Sequence, residues 1–189
     1  MTGYDLRLWR SGQFWARDEV RSIRIGSRWR QEDAAEQLGV TLRTYRTYEQ
    51  YTPPLMVELG VQILSLQTML SELARLPFEQ AINCLRTLTV CPKQELGVMP
   101  TYQVVMPSLG LKQWRSALNW TQVQVAEKLG VTIRTYKSYE QESYKLPRRV
   151  MLAIQALTLL VMLPQLANGQ PDDLLPQLRL LLQTDGHSP

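Results

Sequence analysis

Histidine occurs once in the 189 residues, at His187, and cysteine twice, at Cys84 and Cys91. So little of either leaves no cluster of metal-ligand type and no disulfide framework. No nucleophile–base constellation and no glycine-rich phosphate loop stands out, so an enzyme is not expected and no cofactor or metal is called for. Cys84 and Cys91 suit burial and a connector better than a redox switch. Long apolar runs are also missing. The most apolar stretch, 150–163, has 14 residues and contains Gln155 and Thr158. A membrane span needs about 20, so this reads as a buried or interface helix and no membrane partner is expected. Nothing resembles a secretion signal, which makes a reducing cytoplasm the default. Charge is modest, with a formal net of +4 and a pI near 9.2. That is compatible with a polyanionic partner without requiring one.

What the chain does contain is a repeat. "GVTLRTYRTYEQ" begins at Gly39 and "GVTIRTYKSYEQ" at Gly130. Aligned without a gap, 29–50 and 120–141 are identical at 14 of 22 positions. Upstream, Val20, Ile23 and Arg24 fall on Leu111, Trp114 and Arg115. Downstream, Pro54, Val57, Leu59 and Val61 fall on Pro147, Val150, Leu152 and Ile154 after two extra residues. Pro77 and Pro171 each open a further helical stretch. The unit is half the chain, giving modules 1–95 and 96–189 joined by a connector at 91–107 that is punctuated by proline and glycine. Residues 4–15 have no clear counterpart in the second half.

Both modules read as helical throughout, an all-α fold. In the second, Leu111, Trp114 and Leu118 have helical spacing. Thr121 caps a helix over 122–129, Gly130 ends it, Thr132 caps a third helix over 133–141, and Pro147 precedes a fourth. Arg30 stands where the second module has Thr121, so the first module's cap is weaker. On a helical wheel Ile133, Arg134, Lys137, Ser138 and Gln141 share one side, and Leu42, Arg43, Arg46, Thr47 and Gln50 match them. Arginine can fork onto guanine, Ser and Thr adapt to several bases, and an aliphatic tip suits a thymine methyl. A solvated charged face is the plainer reading of the same residues. Tyr45, Tyr48, Tyr136 and Tyr139 belong to the inner side, as core rather than as base-stacking platforms.

The pattern resembles the Cro/CI-type (XRE) helix-turn-helix family, twice, over 17–70 and 108–163. It is carried by Gln31 and Gln122 after the cap position, Ala35 and Ala126 in mid-helix, Leu38-Gly39-Val40 and Leu129-Gly130-Val131 at the turn, and Tyr48-Glu49 and Tyr139-Glu140 at the end of the third helix. The resemblance implies an Arg in the first helix paired with that Glu, Arg24 with Glu49 and Arg115 with Glu140. It also implies sequence-specific binding of double-stranded DNA as a transcriptional regulator, more often a repressor. Leu42, Arg43, Arg46, Thr47, Ile133, Arg134, Lys137 and Ser138 would then meet bases. Arg28, Arg30, Gln31, Gln122, Lys145, Arg148 and Arg149 would meet phosphate. Two nearly identical reading heads imply two similar half-sites, inverted or direct. Protein binding, as in an antitoxin or an inhibitor of a defence complex, and architectural DNA binding are the other classes the modules could serve.

The halves differ in charge. Residues 1–95 carry 12 Lys and Arg against 11 Asp and Glu, while 96–189 carry 9 against 6. The apolar helices expected at 55–75 and 150–163 exceed what a minimal head needs. They complete each module's core, pack on each other, or pair with a second chain as a homodimer. The segment "PDDLLPQLRLLLQ" adds an amphipathic helix with Asp172 and Asp173 at its N-terminus, where the helix dipole favours them.

Overall fold

The computed structural model describes residues 1–17, 22–25, 28–89, 110–141 and 146–183, with 14–17 and 22–25 described by their backbone. The connector expected at 91–107, together with Cys91, Lys145 and His187, lies outside the described residues. The described residues form ten α-helices and one two-stranded hairpin. The all-α class holds, with the hairpin as its one departure among the described residues.

The first half runs α1 (Gly3–Arg10), β1 (Phe14–Arg17), β2 (Ser22–Ile25), α2 (Gln31–Leu38), α3 (Leu42–Gln50), α4 (Leu55–Leu73) and α5 (Phe78–Thr89). The second runs α6 (Leu111–Ala117), α7 (Gln122–Leu129), α8 (Ile133–Gln141), α9 (Arg148–Asn168) and α10 (Pro171–Leu182). β1 and β2 are antiparallel, with Phe14 opposite Ile25 and Arg17 opposite Ser22.

Local chemistry sets the helix ends. Thr41 Oγ1 accepts the Thr44 N–H and Thr132 Oγ1 the Thr135 N–H, each at 3.2 Å, starting α3 and α8. Thr121 and Gln124 form a reciprocal box ahead of α7, with Thr121 N–H on Gln124 Oε1 at 2.8 Å and Gln124 N–H on Thr121 Oγ1 at 3.2 Å. Arg30 offers no side-chain acceptor, and at α2 the Asp33 carboxylate accepts the Arg30 N–H at 2.9 Å instead. Gly39 and Gly130 close α2 and α7 at φ 66°, the left-handed exit that glycine adopts without a Cβ penalty.

A helix is expected around Val20, Ile23 and Arg24; Val20 lies outside the described residues, Ile23 and Arg24 lie in β2, and α1 takes the role of α6. Leu6, Trp9 and Arg10 occupy the places of Leu111, Trp114 and Arg115, and the hairpin is a detour between α1 and α2. Trp9 Nε1 donates to Ser65 Oγ and Trp114 Nε1 to Thr158 Oγ1, both at 2.9 Å. Trp9 meets Trp29 edge to face at 5.4 Å between ring centroids, and Trp114 meets Trp120 in the same way at 5.7 Å.

α4 and α9 pack on each other along most of their length, so one apolar core runs through both halves. Gly60 permits the approach, since a Cβ there would lie 3.1 Å from Leu38 Cδ2 and 3.6 Å from Leu152 Cβ. α5 lies against both long helices, as does α10. The apolar faces of α4 and α9 thus meet each other within the chain. α9 also extends beyond the expected 150–163, through Pro164 to Asn168. Its length and composition would let it cross a bilayer, but it is mostly buried inside the fold, as a core helix is.

Candidate nucleic-acid interface

Each half presents a helix-turn-helix whose outer helix, α3 or α8, has a buried and an open side. Tyr45 and Tyr136 are fully buried, and Tyr48 and Tyr139 pack partly against the core. Burial, and next the Glu49 charge, pushes the Tyr45 phenol upward; burial and the hydrogen bond to Glu140 do the same for Tyr136. The tyrosines are thus core, as expected. On the opposite side Arg43, Arg46, Thr47, Gln50, Arg134, Lys137, Ser138 and Gln141 are exposed. Ile133 is 40% exposed, whereas Leu42 is half-buried.

A glutamate with a largely enclosed side chain fixes this open side in each half. Arg115 Nε donates to Glu140 Oε1 at 2.6 Å, Arg115 Nη1 to the Trp120 carbonyl at 2.9 Å, Gln122 Nε2 to Glu140 Oε2 at 2.7 Å, and Tyr136 Oη to Glu140 Oε1 at 2.9 Å. Burial alone would raise the Glu140 carboxyl. The donors outweigh it and hold that carboxyl below the usual glutamate range. The first half repeats the clamp with Arg10. Arg10 Nε donates to Glu49 Oε1 at 2.7 Å, Arg10 Nη1 to the Trp29 carbonyl at 3.0 Å, and Gln31 Nε2 to Glu49 Oε2 at 2.6 Å. The expected Arg115–Glu140 pair is present. In the first half Arg10 holds the glutamate, as α1 packs on α3; the side chain of Arg24, the expected partner, lies outside the described residues.

Several residues assigned to phosphate are engaged elsewhere. Gln31 and Gln122 each spend an amide donor on the glutamate clamp. Arg148 Nε donates to the Gln37 carbonyl at 2.7 Å and Nη2 to Gln37 Oε1 at 2.8 Å. It therefore caps the end of α2 in the other half, where a cation is favoured. Arg149 is partly exposed, and Arg28 and Arg30 are exposed ahead of α2. Arg28 holds φ 53°, and Asn119 holds φ 52° at the matching point of the second half. Asparagine tolerates that conformation better than arginine. Arg46 is also partly occupied: its Nε donates to Gln31 Oε1 at 3.2 Å and its Nη2 lies 3.9 Å from Glu32 Oε1.

Sequence reading missed Trp9, Arg10, Ser65 and Thr158 as the parts that seat these helices. The signal was present in "LRLWR" at 6–10 and "LKQWR" at 111–115, visible once the spacing to the next helix is allowed to differ between halves.

No curated protein and no solved structure matches the chain. Residues 111–157, which run from α6 into α9, match a helix-turn-helix family model (HTH_3).

Proposed function

We propose that the chain is a sequence-specific double-stranded DNA-binding regulator, a repressor acting in the cytoplasm, whose α3 and α8 read two half-sites of one operator. The matched domain supplies one head. The matching glutamate clamp, tryptophan pair and turn glycine support reading the other half, 1–95, as a duplicated second head beside 96–189. The observation that carries the reading is the open cationic side of each outer helix, Arg43 and Arg46 on one and Arg134 and Lys137 on the other, backed by a rigid clamp. Cofactors have no part in it, and the mechanism is occlusion of polymerase by two heads seated on neighbouring turns.

Reciprocal contacts support a twofold orientation of the heads. A Cβ on Gly39, in the first turn, would lie 2.6 Å from Arg148 Cβ at the start of α9. A Cβ on Gly130, in the second turn, would lie 3.1 Å from Leu55 Cβ at the start of α4. Each turn thus rests on the opposite long helix at the matching position. Mutual contact of this kind is the mark of a twofold relation, whereas translation gives one-way contacts. The half-sites are accordingly inverted, with centres about 34 Å apart or a multiple of this.

Selection from a random duplex pool tests the proposal: an inverted pair of related motifs is expected. Steep salt dependence with no preferred sequence would favour the architectural alternative, and no duplex affinity at low salt the protein-binding one. Arg134→Ala or Arg43→Ala should each cost about 1–3 kcal/mol and relax preference at one base pair. Arg149→Ala should weaken all sequences alike and flatten the salt slope. Equal loss of sequence preference in all three variants would refute these roles.

A further inference from the structure

We infer that Glu32 attenuates the first reading head by holding Arg46 back, so that the second head carries most of the operator affinity. The inference rests on the DNA-reading proposal above. The two outer helices carry matched cations, but their surroundings differ. In the first half Arg46 lies beside Glu32 on α2, whose charged residues Glu32, Asp33 and Glu36 are all acidic. In the second half Arg134 and Lys137 adjoin α7, which carries Glu127 and Lys128. The position of Glu32 is taken there by Val123, which is 59% exposed.

Glu32 lies on the reading side of the first head, because its carboxylate is 3.9 Å from the Arg46 guanidinium and both side chains are more than half exposed. Gln31 Oε1 accepts from the same guanidinium at 3.2 Å. To fork onto a base, Arg46 must leave both partners, and the abandoned carboxylate then faces a phosphate backbone of its own sign. Among the described residues Lys137 has no ion-pair partner, so it can enter a groove without giving one up. Val123 and Ile133, the latter 40% exposed, add apolar tips suited to thymine methyls at the second head. At the first head the corresponding positions hold a carboxylate and the half-buried Leu42.

The test uses the full chain and duplexes recovered by selection, titrated at several salt concentrations. Glu32→Gln should tighten binding by roughly three- to tenfold at low salt, a size set by one screened charge near the backbone. Glu32→Val should do the same, guarding against an effect peculiar to one replacement. Glu36→Gln makes the same change in net charge on α2, at a residue outside the Arg46 contacts, and should alter binding less than about twofold. Val123→Glu should weaken binding. Arg46→Ala should matter little in the native background and more in Glu32→Gln, while Lys137→Ala should be costly in both. Equal gains from Glu32→Gln and Glu36→Gln would overturn the proposal, as would an Arg46→Ala penalty that ignores residue 32. If no selected duplex is bound even by the unaltered chain, the DNA reading itself fails, a result distinct from binding with equal heads.

Discussion

The two halves build the same clamp from chains that reach it differently. In the second half α6 runs into α7 through a short turn, and Trp114 and Arg115 lie close in sequence to the Trp120 they contact. In the first half Trp9 and Arg10 reach Trp29 across a hairpin. The contacts nonetheless match, from indole to hydroxyl and from guanidinium to carboxylate and tryptophan carbonyl. The seat of the outer helix is therefore the constrained part, and the path between its pieces is free to vary. Contacts fix the geometry, and connections tolerate insertion at small entropic cost.

Replacing the tryptophans tests whether the shared core makes one unit. Trp9 and Trp114 are almost wholly buried. Trp9→Ala and Trp114→Ala should each cost about 3–5 kcal/mol. Because α4 and α9 share one core, each should lower a single urea transition that far-UV circular dichroism and tryptophan fluorescence report alike. Two separated transitions would show halves that unfold independently.

Arginine substitutions then distinguish the two routes to the clamp. Arg10→Ala and Arg115→Ala each strand a buried glutamate and should cost about 2–4 kcal/mol, somewhat below the range for a fully buried pair because both guanidinium groups retain some exposure. Arg24→Ala, at the partner the gapless alignment suggests, should cost well below Arg10→Ala. A large Arg24 effect in thermal melts would restore the gapless alignment.

The turn glycines offer a smaller contrast. Both have φ 66°, so alanine strains either by about 1 kcal/mol. At Gly39 the new Cβ also meets Arg148 Cβ at 2.6 Å, whereas at Gly130 the nearest atom, Leu55 Cβ, is 3.1 Å away. Gly39→Ala should therefore be the more destabilising, by about 1 kcal/mol or more. Equal melting temperatures would show that the start of α9 yields as readily as that of α4.

Much of this arrangement is legible in the chain itself. The caps Thr121 and Thr132, the turn glycines and the inner tyrosines follow from local spacing, and the Arg115–Glu140 pair is what the family resemblance implies. The first module's opening helix does not, because Val20, Ile23 and Arg24 mimic helical spacing over a few residues. Short apolar runs do not separate helix from strand. The alternation in Ser22-Ile23-Arg24-Ile25 was the competing cue, and β2 follows it. Arg148 illustrates a second limit. Its partner Gln37 is 111 residues away, so local sequence, with a cation at a helix N-terminus, points to phosphate and does not reveal the contact with α2. Nor does an apolar helix face specify its occupant, which is why α4 and α9 could be assigned to each other or to a second chain.

The smallest expected effect concerns acid. The Glu140 carboxyl is lowered in the fold because donors from Arg115, Gln122 and Tyr136 outweigh the upward push of burial. A depressed carboxyl contributes stability that is fully present above its unfolded value. That stability is lost as pH falls through the folded one. Melting temperature followed from neutral pH downward should therefore fall below the usual glutamate range, and Glu140→Gln should flatten that limb while lowering stability near neutrality. The two curves should converge at the acid end, where both side chains are uncharged amide or acid of nearly the same shape. Parallel curves would show that Glu140 supports the second head by shape and hydrogen bonding, with its charge contributing nothing measurable.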